Sequence, residues 1–175
     1  VYRLRLPESD QHSHEENKPY FGNVRLTDHD GNEIDNFHTG ETACAEIEVC
    51  SPVPMERMRL IAQIESPAAG ILGAFGSPFS DFFFDVQVPR SRIRLKLYEL
   101  PLLVGGYRLN LHLYGPEIRD FYDRLVPAAT FQITGPPINT FGYGLSGLIK
   151  FNHEWETIES TERSGPVEPR HSLNR

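Results

Sequence analysis

Hydrophobic and polar residues alternate most regularly between Gly105 and Tyr114. Because successive side chains of a β-strand point to opposite faces, this pattern predicts a strand with one apolar and one polar face. The apolar face would hold Tyr107, Leu109, Leu111 and Leu113. The polar face would hold Arg108, Asn110, His112 and Tyr114. Such planar donors and aromatic rings would suit a polyhydroxylated ligand, although the solvated outer face of an antiparallel sheet explains the same alternation.

Similar segments follow one another along the chain, separated by turn signals. They cover residues 22–28, 43–50, 57–65, 71–75, 82–88, 93–98, 107–114, 129–134 and 148–151. This number of short, alternating segments predicts an all-β protein, an antiparallel β-sandwich of about eight or nine strands. One helix is predicted after Pro116, where apolar residues recur at helical spacing. These residues are Ile118, Phe121, Tyr122 and Leu125.

Composition divides the chain into three parts. Residues 1–19 are interpreted as an N-terminal segment and linker, because positions 7–19 contain no large apolar residue. Residues 20–155 form the predicted sandwich domain, and residues 156–175 form a tail, because apolar periodicity ends after Trp155. No apolar run approaches the roughly 20 residues that cross a bilayer, so we expect a soluble chain. Its first residue is Val1 instead of Met, which favours a fragment of a longer protein.

Charge and cysteine content narrow the function classes. The chain has 24 acidic and 17 basic residues and a formal charge of −7. This charge disfavours sequence-independent binding of nucleic acid, because such binding depends on Lys and Arg that neutralise phosphates. Only Cys44 and Cys50 are present. On one strand they would lie about 20 Å apart, too far to bridge, so we expect free thiols and a reducing compartment.

Motifs for catalysis and for metal binding are weak. Residues 28–33 look like a calcium loop, but Gly31 comes two positions early, so a hairpin turn is predicted. His12 and His14 have no third ligand at a useful spacing, and no metal or other cofactor is assigned. The nucleophile-elbow spacing fails at residues 144–148, and no phosphate-binding loop occurs. Asp81 and Asp85 would share one strand face, which leaves glycoside chemistry as an alternative.

Five stretches of sequence, taken in order, resemble one known family. They are YFGNVRLTDHDG at residues 20–31, FHTGE at 37–41, GGY at 105–107, AATFQI at 128–133 and GLIKFNHEW at 147–155. Their order and spacing are similar to those of the Wzt C-terminal domain, the carbohydrate-binding module behind the ATPase domain of ABC transporters that export O-antigen polysaccharides. The chain departs from many members at residues 101–104, PLLV, where Leu-x-Pro-Gly is usual.

The resemblance implies a jelly-roll or immunoglobulin-like sandwich without catalytic activity, which recognises an exported glycan, often by its modified non-reducing end. It also implies a homodimer, with the last strand sometimes exchanged, so that Leu148, Phe151 and Trp155 become interface candidates. The expected partners are the polysaccharide and the permease and ATPase domains of the transporter. The expected location is the cytoplasmic side of the inner membrane, where the domain is held through the transporter.

The residues themselves suggest where a glycan would bind. Asn, Gln, Glu and Arg side chains can hydrogen-bond sugar hydroxyls, while aromatic rings cover the C–H faces of a sugar. The candidates are Arg108, Asn110, His112, Tyr114, Gln132, Arg59 and Gln63. Gln132, with Thr130, joins this set if 129–134 is the neighbouring strand; Arg59, Gln63 and Glu65 join it if 57–65 is the neighbour. Arg108 is the first choice for an anionic cap, because a guanidinium binds oxyanions in a bidentate way. The alternative function is a dimerisation or partner-docking sandwich that binds no glycan.

Overall fold

The computed structural model describes residues 18–135 and Ile149. The described residues leave out most of the predicted linker and all of the predicted tail. They also leave out the interface candidates Leu148, Phe151 and Trp155. Nine strands and one helical turn are present within them. In chain order these are β1 (Tyr20–Thr27), β2 (Asn36–His38), β3 (Ala43–Cys50), β4 (Met55–Ser66), β5 (Gly70–Gly76), α1 (Ser77–Ser80), β6 (Phe84–Val86), β7 (Arg90–Leu97), β8 (Gly105–Tyr114) and β9 (Phe121–Thr134). Among the described residues, no helix is both long and apolar enough to span a membrane.

The strands form two sheets, as expected for an all-β sandwich. The smaller sheet has the order β1-β3-β7, and the larger has the order β2-β9-β8-β4-β5 with β6 also paired to β4. All pairs are antiparallel except that of β2 with β9, which is parallel. The turn between β1 and β2 is confirmed: Gly31 has φ +91°, and the Asp28 carboxylate accepts hydrogen bonds from the Asn32 backbone and side-chain amides at 2.9 and 2.8 Å.

The core lies between the two sheets, where the inward positions of each strand meet. On β8 the four predicted apolar residues are all buried. On β3 the same role falls to Ala45, Ile47 and Val49, none of which is exposed to solvent. The aromatic part of the core joins β2, β8 and β9. There the Phe37 ring packs edge-on against Phe131, with the ring centroids 6.0 Å apart, and Tyr107 stacks on Phe131 with a centroid distance of 5.7 Å.

The helix predicted after Pro116 is wrong. Phe121 begins β9, which pairs with β8 through Tyr114↔Phe121, His112↔Arg124 and Leu111↔Leu125. Residues 115–120 form the connecting hairpin loop, closed by a hydrogen bond from Gly115 N–H to the Asp120 carbonyl at 2.7 Å. The apolar spacing that suggests a helix here is short, and pairing with the strongly alternating β8 satisfies the backbone groups of this segment instead.

Both cysteines lie on β3 and are unpaired, as predicted. Cys44 is buried, and Cys50 is partly buried beside Glu48, whose Oε1 lies 3.8 Å from Sγ. Burial, reinforced by the negative charge of Glu48, raises the pKa of the Cys50 thiol. A thiol held in its protonated form is a poor nucleophile, so Cys50 has the character of a structural residue.

Candidate functional site

β8 lies between β4 and β9, so the two neighbour arrangements left open by the sequence are both realised. Cross-strand partners point to the same side of a sheet. Arg108 therefore has Glu65 on one side and Thr130 on the other, and His112 has Arg124 on β9. We call the outward side of these three strands the central face. It consists of Arg59, Ile61, Gln63 and Glu65 from β4, Arg108, Asn110, His112 and Tyr114 from β8, and Phe121, Arg124, Thr130 and Gln132 from β9.

A hydrogen-bonded network crosses the central face between β4 and β8. Glu65 stands at its centre: Oε2 accepts a hydrogen bond from Asn110 Nδ2 at 2.7 Å, and Oε1 lies 3.5 Å from Arg108 Nη1. One strand position further along, His112 Nε2 lies 3.2 Å from Gln63 Oε1, a distance at which a protonated Nε2 donates. Side chains held in this way lose little further conformational freedom when a ligand binds.

Asn110 differs from its neighbours on the central face because it is buried, with 3% of its surface exposed. Its Oδ1 has no hydrogen-bond partner among the described residues. On β9, the register passes from Ala129, opposite Leu109, to Leu125, opposite Leu111, so a bulge lies across from Asn110. Arg108 and His112 are more accessible than Asn110, whose side-chain amide orients the Glu65 carboxylate.

The other end of the central face is aromatic. Tyr114 and Phe121 pack edge to face with centroids 5.5 Å apart, and Phe121 remains 47% exposed. Arg59 lies beside them, because its Nε–H donates to the Pro116 carbonyl at 2.7 Å and its guanidinium lies 4.6 Å from the Phe83 ring centroid. Exposed aromatic rings next to fixed polar groups are a suitable surface for the C–H face of a sugar.

His112 connects the two ends of the central face. Its pKa is lowered by partial burial first and by the positive charge of Arg124 second. The imidazole is therefore neutral at pH 7, with one nitrogen available as a donor and the other as an acceptor.

Three residues of the central face do not appear among the sequence-based candidates, and they are Ile61, Phe121 and Arg124. Phe121 and Arg124 lie in the segment predicted as helix, and only the observed pairing of β9 with β8 brings them beside Tyr114 and His112. Arg124 is exposed. At the opposite end, Gln132 lies over Gly106, where an added Cβ would be 3.0 Å from Gln132 Nε2.

The carboxylate pair considered for catalysis is not assembled as expected. The strand predicted at 82–88 is limited to β6, and Asp81 follows α1 with φ +50°, outside any strand. Asp85 lies on β6 and accepts a hydrogen bond from the Arg57 backbone at 2.9 Å. Both side chains are exposed, and only Asp85 lies on a strand, so the two carboxylates do not share a strand face.

A cleft of about 520 Å³ opens between the two sheets, away from the central face. Its walls come from β4, β5, α1 and β7, and most of its lining is apolar. Phe79 and Phe82 stand at its rim, 70% and 40% exposed. The other functional predictions, Leu148, Phe151 and Trp155, lie outside the described residues, although Ile149 makes an isolated antiparallel bridge with Leu102.

Fold and face together define a β-sandwich domain with a polar and aromatic sheet face. No protein-family model matches the sequence, and no curated protein matches it. Among solved structures, the C-terminal domain of Wzt has a similar fold: the TM-score is 0.68, 82% of this chain and 86% of that chain are covered, and sequence identity is 10%. This match establishes the fold and agrees with the family resemblance of the sequence.

Weaker matches include two structures of β-glucuronidases from Bacteroides uniformis. Each covers 62% of this chain and 14% of the other, at 11% identity. Their TM-scores are 0.45 and 0.47, too low to support any argument about this protein.

Proposed function

We propose that this chain is a carbohydrate-binding module that recognises an O-antigen-type polysaccharide, by its modified non-reducing end, for export by an ABC transporter. One observation carries the proposal: the seven candidate side chains chosen for sugar chemistry, drawn from β4, β8 and β9, lie on one face, where Tyr114, one of the seven, packs against the exposed Phe121 ring. The fold shared with the C-terminal domain of Wzt supports the same reading.

The central face offers both kinds of contact that a sugar needs. Arg108, His112 and Gln63 present donors and acceptors to hydroxyl groups, and Glu65 holds Arg108 in place. Tyr114 and Phe121 provide a ring surface for the C–H groups. Binding through these two kinds of contact requires no catalytic group and no cofactor, which fits a binding domain of a larger transporter.

The proposed partners follow from the family resemblance. The chain would form a homodimer and associate with the ATPase and permease domains of the transporter at the cytoplasmic side of the inner membrane. The unpaired thiols of Cys44 and Cys50 agree with that compartment, because cytosolic thiols stay reduced.

Calorimetric titration with the purified surface polysaccharide of the source organism, beside an unrelated polysaccharide, tests this function. We expect selective binding by the native chain. Arg108→Ala and His112→Ala should each weaken it about tenfold or more, because each removes a hydrogen bond to the ligand from a desolvated face. Both variants should keep the native circular dichroism spectrum and thermal midpoint.

Arg92→Ala and His29→Ala serve as matched controls, since both residues are exposed and lie away from the central face. Unchanged affinity in both central-face variants would exclude this face as the site. Absence of any glycan binding by a folded native chain would contradict the proposed function.

The alternative function, a partner-docking sandwich, is favoured by a different observation. The cleft between the sheets is apolar, and the exposed rings of Phe79 and Phe82 extend its rim. Exposed apolar surface of this kind commonly marks a protein–protein contact. The titration above separates the two functions, because a docking module would bind neither polysaccharide.

A further inference from the structure

The charge of the central face differs in sign from that of the whole chain. The sequence carries a formal charge of −7, yet the described part of this face holds three arginines and one glutamate. The three arginines are not equivalent, since each has a different set of neighbours. Those neighbours decide which of them is available to a ligand.

Arg108 is already neutralised, because Glu65 lies 3.5 Å from its guanidinium. Arg59 is committed to the Pro116 carbonyl and to the Phe83 ring, neither of which carries a charge. Within residues 18–135, Arg124 has no carboxylate within 4 Å of its guanidinium. Its neighbour Asp123 faces the other sheet, where Oδ2 accepts a hydrogen bond from the Phe21 backbone at 2.8 Å.

Arg124 also stands at the aromatic end of the central face. It is the cross-strand partner of His112, and Phe121 is the partner of Tyr114 on the same two strands. Directly opposed residues of adjacent strands have Cβ atoms about 5 Å apart. An uncompensated guanidinium, a neutral imidazole and an aromatic pair with one exposed ring, Phe121, therefore occupy one continuous patch.

From this geometry, and resting on the glycan-binding function proposed above, we propose that the central face selects an acidic sugar, whose carboxylate or phosphate binds Arg124 while its ring lies on Phe121 and Tyr114. This assigns the anionic contact to Arg124 instead of Arg108. A guanidinium matches either oxyanion through two parallel hydrogen bonds. The shared recognition chemistry is thus an oxyanion attached to a pyranose ring.

The pKa of His112 can report whether an anion binds at Arg124, because the two residues are cross-strand partners. The groups next to His112 on the central face are Gln63 and Ile61 from β4, Arg124 from β9, and Asn110 and Tyr114 on β8. Arg124 is one cause of the lowered His112 pKa. An anion that neutralises Arg124 should therefore raise that pKa towards its ordinary value of about 6.5.

The test is NMR titration of the full chain with two charged probes and their uncharged counterparts. D-glucuronate is compared with its methyl ester, and glucose 6-phosphate with glucose; the two pairs separate carboxylate from phosphate recognition. We expect at least one anionic probe to shift the Arg124 Nε–Hε signal at millimolar concentration and to raise the His112 pKa. The matching neutral probe should bind about tenfold more weakly or worse.

Three variants make the result specific. Arg124→Gln should reduce the preference for the anionic probe about tenfold and leave the binding of neutral glycans nearly unchanged. Arg108→Gln should weaken anionic and neutral glycans alike. Arg92→Gln removes one positive charge on the opposite sheet. It should change neither the preference for the anionic probe nor the binding of neutral glycans.

The outcomes separate this inference from the proposed function. If the chain binds neutral polysaccharide while the anionic probes leave both NMR signals unchanged, the assignment to Arg124 is wrong and the glycan-binding function stands. Equal loss of anionic selectivity in Arg124→Gln and Arg92→Gln would also overturn the assignment, because it would indicate a general effect of charge. If a folded chain binds neither polysaccharide nor probe, both proposals are wrong.

Discussion

Some side chains on the central face are more buried and make more hydrogen bonds than their outward positions would predict. Asn110 is almost fully buried although the strand alternation places it outside, and Glu65 binds both Asn110 and Arg108. A carboxylate with two donors around it has a defined orientation and fixes Arg108 as well. The face is therefore more ordered than a sheet surface covered only by water.

Gly76 has an equally specific role in the backbone. It ends β5 with φ +126°, a conformation that L side chains rarely adopt, and an added Cβ would lie only 2.0 Å from the Leu60 carbonyl oxygen on β4. Any side chain at this position must separate two strands of the larger sheet.

We expect Gly76→Ala to lower the free energy of unfolding by more than about 2 kcal/mol, because backbone strain and a steric clash add together. Gly40→Ala is the matched control: its φ is +85°, but no atom lies within 4 Å of the added Cβ. Strain alone should cost it about 1 kcal/mol. Urea denaturation measures both, and equal losses would show that the β4–β5 edge relaxes without cost.

Among the strands, the smaller sheet is joined by charge as well as by backbone pairing. Glu46 lies on the middle strand, β3, and accepts hydrogen bonds from Arg94 on β7 and from Arg25 on β1, with Arg25 Nε at 2.8 Å. Arg94 first, and Arg25 second, hold the pKa of Glu46 below its ordinary value. One carboxylate thus bridges all three strands of this sheet.

The pH dependence of this bridge follows from the direction in which folding shifts the pKa of Glu46. A carboxylate whose pKa is lower in the folded than in the unfolded chain stabilises the fold above the unfolded pKa, and this contribution is lost as pH falls. Glu46→Gln should therefore lower the thermal midpoint at pH 7, and its difference from the native chain should narrow below about pH 4.5 and in high salt.

Glu56→Gln is the control for Glu46→Gln, because Glu56 is exposed and makes no ion pair with any residue that the structure describes. Thermal melts followed by circular dichroism provide the measurement. A difference between Glu46→Gln and the native chain that is independent of both pH and salt would contradict a charge-based bridge.

For the chain as a whole, the two candidate binding surfaces lie apart. The central face is polar, aromatic and net positive, whereas the cleft between the sheets is apolar. A domain of this kind can bind a ligand through one surface and a protein through another. The dimer expected from the family resemblance would use Leu148, Phe151 and Trp155, which lie outside the described residues.

Sedimentation equilibrium of the full chain tests the dimer. We expect a mass about twice the 19.9 kDa of one chain, and we expect Leu148→Asp or Phe151→Asp to halve it, because a charge at an apolar interface is costly. Ile118→Asp is the control, since Ile118 is an exposed apolar residue in the β8–β9 loop. A native chain that stays monomeric at every concentration would contradict the interface prediction.

Several features of the fold could be predicted from sequence because they depend on neighbouring residues. Alternation on β8 assigns each side chain to the core or to the outer face, and the structure confirms the assignment for all four apolar residues. The Asp28–Asn32 turn was likewise predictable, since Asp-Gly favours a tight turn without help from distant residues. In both places the chemistry of a few consecutive residues is sufficient.

Other features depended on residues far apart in the chain. β2 has only three residues, and its strand conformation comes from parallel pairing of Phe37 with Ile133, almost 100 positions away. β9 begins at Phe121 because β8 offers it a partner, in a segment whose own spacing favours a helix. Side-chain alternation specifies which face a residue occupies, but it carries no information on which strand lies alongside. Only the packed sheet therefore brings Arg124 beside His112 and makes a single surface from three strands.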